Sequence, residues 1–277
     1  MLKNRDTRVQ IVIVEKGKYI LLQHLAKKEN KTFWGLPGGG REPGETDEKA
    51  AIREAWEETG LCIRLLPVKH EILLSGKKFV YDRIVTFLAY PVSGKAGVGY
   101  EPEARLFAAY NYALIGLRWQ HFYRDEGLTP FTEKSIHPIR NLLESAPIQH
   151  RVGLIVHHRD NGAMKFLCIS SRRHPGCLEM PHIDVAESNP SKAAVISLAE
   201  QHLGISLESP VDRGFFFHEN DGRYYRTDVF SISLESVPAK LRRNSCHWLD
   251  RRQAAREGRF REDRRLILES IEELMSS

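Results

Sequence analysis

The stretch from Gly39 to Leu61, GGREPGETDEKAAIREAWEETGL, dictates more of the architecture than any other part of the chain. Gly38, Gly39 and Gly40 open a turn that Pro43-Gly44-Glu45 carries into a helical run from Asp47 to Thr59. Thr46 stands where an N-cap hydroxyl belongs, and Asp47 and Glu48 sit at the positive end of the helix dipole. Gly60 suits the left-handed residue that ends a helix. On a helical wheel Ala51, Ile52, Ala55, Trp56 and Thr59 share the arc expected to pack on the protein. Glu54, Glu57 and Glu58 fall together on the opposite arc, since positions three and four apart share a face. Three carboxylates so close repel one another unless a cation compensates, and hard oxygen ligands suit Mg²⁺ or Mn²⁺. Taken by themselves, the three glutamates leave a solvated acidic face open as the other reading.

The complete spacing carries further. Gly39, five residues, Glu45, seven residues, Arg53-Glu54-Ala55, one residue, Glu57-Glu58, one residue and Gly60-Leu61 resembles the Nudix box at every fixed position. Leu36-Pro37-Gly38-Gly39 is similar to the usual lead-in of that box. The resemblance implies an α/β/α sandwich on a mixed sheet, and Mg²⁺-dependent (or Mn²⁺-dependent) hydrolysis of a nucleoside diphosphate linked to another moiety. In similar proteins the glutamates matching Glu54, Glu57 and Glu58 hold the metal, with the carbonyl of the residue matching Gly38. Arg53 then holds the carboxylates by paired hydrogen bonds, and Glu45 secures the loop–helix turn. The general base of such proteins is a box glutamate in some and a distal-loop glutamate in others. Here the distal candidates are Glu101 and Glu103, on a segment that also carries Tyr100, Phe107, Tyr110 and Tyr112. Gly39, Gly40, Arg41, Arg83 and Tyr100 are the candidates for substrate contact, Tyr100 by stacking on a base.

A length of 277 residues suits two domains, and the chain repeats itself. Arg151 to Val156 echoes Arg8 to Ile13, and Lys165 to Ser170 echoes Lys18 to Gln23. Met180 to Ile205 aligns without a gap on Leu36 to Leu61 at an offset of 144 residues, with Pro181 on Pro37 and Gly204 on Gly60. Phe260 to Leu274 is expected to repeat the closing helix of the first half, Thr132 to Ser145. The chain is therefore expected to form two tandem Nudix-type α/β/α sandwich domains, residues 1–147 and 148–277, with Ala146-Pro147 breaking the helix between them. The second copy lacks the acidic face. Leu198, Gln201 and His202 stand at the positions of Glu54, Glu57 and Glu58, and Ser197 at that of Arg53. Neither Leu nor Gln replaces a carboxylate at a divalent ion, so this half is expected to be a scaffold or a regulatory binding module without chemistry of its own.

No apolar run approaches the ~20 residues of a membrane span. The apolar core near the start, Ile11 to Val14, is too short for a signal peptide. Four cysteines without CxxC spacing argue against a zinc site and for unpaired thiols in a reducing compartment, so a cytoplasmic location is expected. A net charge of +5 favours anionic ligands. Basic and acidic residues are interleaved, so a nucleic-acid surface is allowed but not favoured, and a small-molecule nucleotide is the expected partner. A homodimer is compatible with the sequence. Two other readings are a nucleotide-sensing regulator and an RNA 5′-end pyrophosphohydrolase. The first lacks a visible helix-turn-helix region, and the second needs a basic track leading to the site.

Overall fold

The computed structural model describes residues 6–74, 81–99, 112–186, 192–206, 210–242 and 244–257. The chain divides into two compact units, Met1–Pro147 and Ile148–Ser277.

In the first unit β1 (Thr7–Glu15) and β2 (Lys18–Ala26) form a hairpin across Lys16 and Gly17. Both turn residues have positive φ, 51° and 66°, the backbone that a two-residue hairpin loop demands. β3 (Lys31–Gly35) pairs antiparallel with β2 and delivers the chain to the glycine turn. Helix α1 (Asp47–Thr59) follows, then β4 (Leu61–Leu73) and β5 (Arg83–Gly94). β5 runs parallel to β1, from Thr7 against Arg83 to Ile13 against Ala89. β6 (Tyr112–His121) pairs with β2, and α2 (Pro130–Glu144) closes the unit. The strand order is β3-β2-β1-β5-β4, with β6 also on β2.

The ends of α1 are built as its sequence requires. The Thr46 hydroxyl accepts from the Lys49 N–H, and Gly60 takes φ 71°. Its buried side is different from the expected one. Ala50, Ala51, Glu54, Ala55, Glu58 and Thr59 face inward, while Trp56 is 54% exposed and Ile52 is also exposed. Ala50, Ala51 and Ala55 pack on Val9, Ile11 and Ile13 of β1. The wheel misplaces Ile52 and Trp56 because it ranks positions by polarity. It has no knowledge of the glycine loop, which covers the neighbouring side of the helix and gives Glu54 and Glu58 something polar to face.

The second unit comprises β7 (Ile148–Asp160), β8 (Ala163–Ser170), β9 (Leu178–Glu179), β10 (His182–Val185), α3 (Lys192–Ser197), β11 (Val211–Asn220), β12 (Arg223–Leu234), β13 (Cys246–Leu249) and α4 (Arg251–Arg256). Its order is β11-β12-β7-β8-β13, with β7 and β12 parallel. That is the connectivity of β4-β5-β1-β2-β6 over again, with the parallel pair in the corresponding place. The helix expected to copy α1 is α-helical only over Lys192–Ser197 and then widens into a π-helical turn, Leu198–Leu203. Val195-Ile196-Ser197 are weak helix formers where α1 has Ala51-Ile52-Arg53. Gly204 ends the turn at φ 67°, as Gly60 ends α1. The expected closing helix, Phe260 to Leu274, lies outside the described residues.

Candidate active site

The glycine turn is held against β1 by backbone hydrogen bonds and a single bridge between Arg8 and Gly40. The N–H groups of Val9 and Ile11 donate to the carbonyls of Gly39 and Pro37, both at 2.9 Å, and the Arg41 N–H donates to Thr7 O at 2.9 Å. Gly38 has φ 149°, and a Cβ there would run into the Val9 carbonyl. A Cβ on Gly39 would collide with the Glu54 carboxylate. The turn is thus glycine because the backbone of β1 lies on one side of it and a carboxylate on the other.

Arg53 is the centre of the site. Its Nε and Nη2 donate to the two oxygens of Glu45, each at 3.1 Å, and Nη2 also reaches Gly40 O at 3.1 Å. Its Nη1 donates to Glu54 Oε1 at 2.8 Å and to Glu57 Oε2 at 3.0 Å. One planar fork therefore ties the loop, its supporting glutamate and two carboxylates of the helix. Burial works against the Arg53 charge, and the hydrogen bonds to Glu45 with the charge of Glu54 outweigh it, raising the affinity of the guanidinium for its proton. Glu54 is 5% exposed; burial pushes its carboxyl above the usual carboxylate range, and Arg53 opposes that. Glu58, 3% exposed, accepts from the Gly38 N–H at 2.7 Å.

A solvated acidic face is ruled out for Glu54 and Glu58 by their burial. Two guanidiniums, Arg53 and Arg8, face the four carboxylates of Glu45, Glu54, Glu57 and Glu58, which leaves two negative charges over when all are ionised. Arg53 takes one oxygen of Glu54 and one of Glu57, and the second oxygen of each accepts no hydrogen bond among the described residues. Oxygen donors with an excess of two negative charges fit a hard divalent cation in kind and in charge. In the geometry present, no three His, Cys, Asp or Glu among the described residues converge as a finished metal cage. The Gly38 carbonyl, expected as a metal ligand, accepts from Arg8 Nη2 at 2.6 Å.

Arg41 and Arg83 are spent on carboxylates. Arg41 pairs with Asp6 at 2.7 Å. Arg83 reaches both oxygens of Asp47, at 2.9 and 3.1 Å, together with Thr7 Oγ1 and Glu71. The two arginines thus pin the start of α1 and the glycine loop to the ends of the strands. Tyr100, Glu101 and Glu103 lie outside the described residues. Arg8 was missed by motif reading because it lies 30 residues before the turn it contacts. Its echo at Arg151 was the only available signal. At the corresponding place in the second unit, Leu198 is buried among Val152, Leu154 and Val195, and Gln201 is exposed.

Residues 3–121 match the family model of the NUDIX domain. That match lies within the first unit and covers less than half of the chain. The chain is 37% identical over 73 residues to a Bacillus subtilis (strain 168) protein named "Putative 8-oxo-dGTP diphosphatase", across 26% of this chain and 41% of that protein. It is 44% identical over 55 residues to "Putative 8-oxo-dGTP diphosphatase 3" of Mycobacterium tuberculosis (strain CDC 1551 / Oshkosh), across 20% of this chain and 25% of that protein. The chain thus spans less than half the length of either relative. Among solved structures, a MutT NUDIX hydrolase from Burkholderia pseudomallei superposes with a TM-score of 0.36 at 24% identity, over 48% of this chain and 97% of that one. No helix among the described residues is long and apolar enough to cross a membrane.

Proposed function

We propose that the first unit is a divalent-metal-dependent pyrophosphohydrolase acting on a nucleoside diphosphate linked to another moiety, with a nucleoside triphosphate as the substrate class. The observation that carries this is the Arg53 fork, which gathers Glu45, Glu54, Glu57 and the Gly40 carbonyl beside the buried Glu58. The family match and the names of the two bacterial relatives support the same reaction class. Glu54, Glu57 and Glu58 would hold Mg²⁺ or Mn²⁺ with the Gly38 carbonyl. When bound, the ion supplies charge stabilisation to the non-bridging and leaving oxygens of the phosphoryl group. Arg53 holds one oxygen of Glu54 and one of Glu57 by hydrogen bonds, and Glu45 keeps Arg53 in register with the loop. Gly39 and Gly40 leave room for a polyphosphate to approach the backbone. A box glutamate, Glu101 or Glu103 would take the proton of the attacking water. The second unit, lacking carboxylates at the matching positions, would be a non-catalytic module.

Phosphate release from a panel of triphosphates, ADP-ribose, nucleotide sugars, dinucleoside polyphosphates and 5′-triphosphate RNA, assayed with Mg²⁺, tests the reading. Turnover of a triphosphate well above that of a Glu57→Gln control is expected. Silence across the panel with tight binding of one nucleotide would replace the enzyme with a sensor.

A further inference from the structure

The second unit carries a polar cluster that the chemistry above does not use. Arg151 of β7 lies opposite Asp184 of β10 and Thr227 of β12. It occupies the place that Arg8 holds opposite Gly40 in the first unit. Arg151 is only 6% exposed, and its guanidinium lies over the Tyr225 ring at 4.2 Å. Its Nε donates to Asp184 Oδ1 at 2.9 Å, and its Nη2 is buried with no hydrogen-bond partner among the described residues. His218 of β11, 7% exposed, is stacked on the same tyrosine, with ring centroids 5.3 Å apart and planes 12° from parallel. Its Nε2 meets Thr227 Oγ1 at 2.9 Å, and its Nδ1 is likewise buried with no partner among the described residues. Arg173, on the surface, closes the cluster by donating Nη2 to Asp184 Oδ2 at 2.7 Å.

Two features of this arrangement call for a ligand. Buried polar groups are almost always paired, yet two ring-stacked neighbours here each keep a nitrogen unspent. Moreover, two guanidiniums share a single carboxylate, one oxygen each. We propose that this cluster is a phosphoryl-binding site of the second unit. An incoming phosphoryl group takes over Arg173 from Asp184, a surface contact that is cheap to exchange. It then accepts from Arg151 Nη2 and His218 Nδ1. In the tautomer that this binding requires, the Thr227 hydroxyl donates to Nε2 and the ring proton of His218 sits on Nδ1, where it can donate to the ligand. Burial and the nearby Arg151 charge push His218 down to about 3, so it donates as the neutral ring and needs no proton from solvent. A guanidinium fork matches carboxylate and phosphate alike, and the additional oxygens and charge of phosphate favour it where three donors act on one ligand. Leu198 and Gln201 stand where the metal-binding carboxylates would be, so the site binds without cleaving.

The test is isothermal titration of the full chain with inorganic phosphate, with a nucleoside 5′-monophosphate and with acetate, in EDTA so that divalent-dependent binding at the first unit is silent. Saturable phosphate binding is expected, weakened about tenfold by Arg173→Gln, the loss of one charge-assisted hydrogen bond. Arg151→Lys, which keeps the charge but loses the fork, is expected to weaken it at least as much. Phosphate should also move the ¹⁵N resonance of His218 Nδ1, a readout that stands even if the Arg151 variant fails to fold. A tighter monophosphate identifies the source as a nucleotide; equal affinities identify free phosphate. The proposal is overturned by no saturation with either probe, by acetate binding as tightly as phosphate, or by an unchanged affinity in Arg173→Gln with a silent His218.

Discussion

At the scale of single residues, the site depends on what Arg53 and Glu57 each do for the other carboxylates. Replacing Glu57 with Gln removes the charge of a proposed metal ligand while leaving a hydrogen-bond acceptor for Arg53. Turnover is expected to fall by roughly 100-fold or more with the melting temperature unchanged. Near-normal rates would remove Glu57 from the metal site. Arg53→Lys supplies one point charge where five hydrogen bonds are now made, so a loss of about 10–100-fold in activity or metal affinity is expected. The histidines of the second unit give a pH dependence. His218 is depressed from 6.5 to about 3 by burial first and by the Arg151 charge second. Its neutral form is the folded form, and the unfolded chain takes up the proton sooner. Stability is therefore fully present above pH 6.5 and is lost as pH falls from there toward about 3. Denaturant midpoints measured between pH 7 and pH 4 should fall, and His218→Gln should flatten that slope. An unaltered slope in the variant would place the proton uptake elsewhere.

At the scale of elements, α1 has a defined beginning, end and anchor. Removing the Thr46 hydroxyl by Thr46→Ala leaves the Lys49 N–H without its cap and is expected to cost about 1 kcal/mol. Gly60→Ala forces a side chain into φ 71° and should cost about 1–2 kcal/mol. Both are checked by chemical denaturation. Arg83→Gln removes the clamp from Asp47 to β1 and β4, so it should lower kcat together with stability by letting the start of α1 shift. An unchanged kcat would mean that the helix is positioned by its apolar packing alone. The boundaries of α1, the β1–β2 hairpin and α2 were legible because caps, glycines and periodicity are local signals. The buried face of α1 was not, since it depends on a loop folded over the helix. The π-helical turn after α3 was not legible either, because a gap-free alignment conserves length and says nothing of the helical pitch.

For the whole molecule, the repeat in the sequence has its counterpart in strand order. Both units place a parallel pair at the centre, β1 with β5 and β7 with β12, and each has its own buried core. Two cores without shared carboxylate chemistry predict two separable responses. Chelation with EDTA should lower only the thermal transition that belongs to the first unit. Calorimetry in which both transitions move equally would show that the second unit also binds the ion, against the loss of its carboxylates.

The sequence by itself determined the Nudix box, the ends of its helix and the doubling of the chain, because cap chemistry, glycine backbone and fixed spacings are properties of neighbours along the chain. Only the tertiary structure decided what each charged group faces. It set Glu54 and Glu58 inward, spent Arg41 and Arg83 on Asp6 and Asp47, brought Arg8 to the Gly38 carbonyl, and left Arg151 and His218 with nitrogens unpaired. The physical reason is that hydrogen bonds and ion pairs are set by contact in space. The partners here lie tens of residues apart, and strand pairing together with the packing of α1 on the sheet brings them within reach.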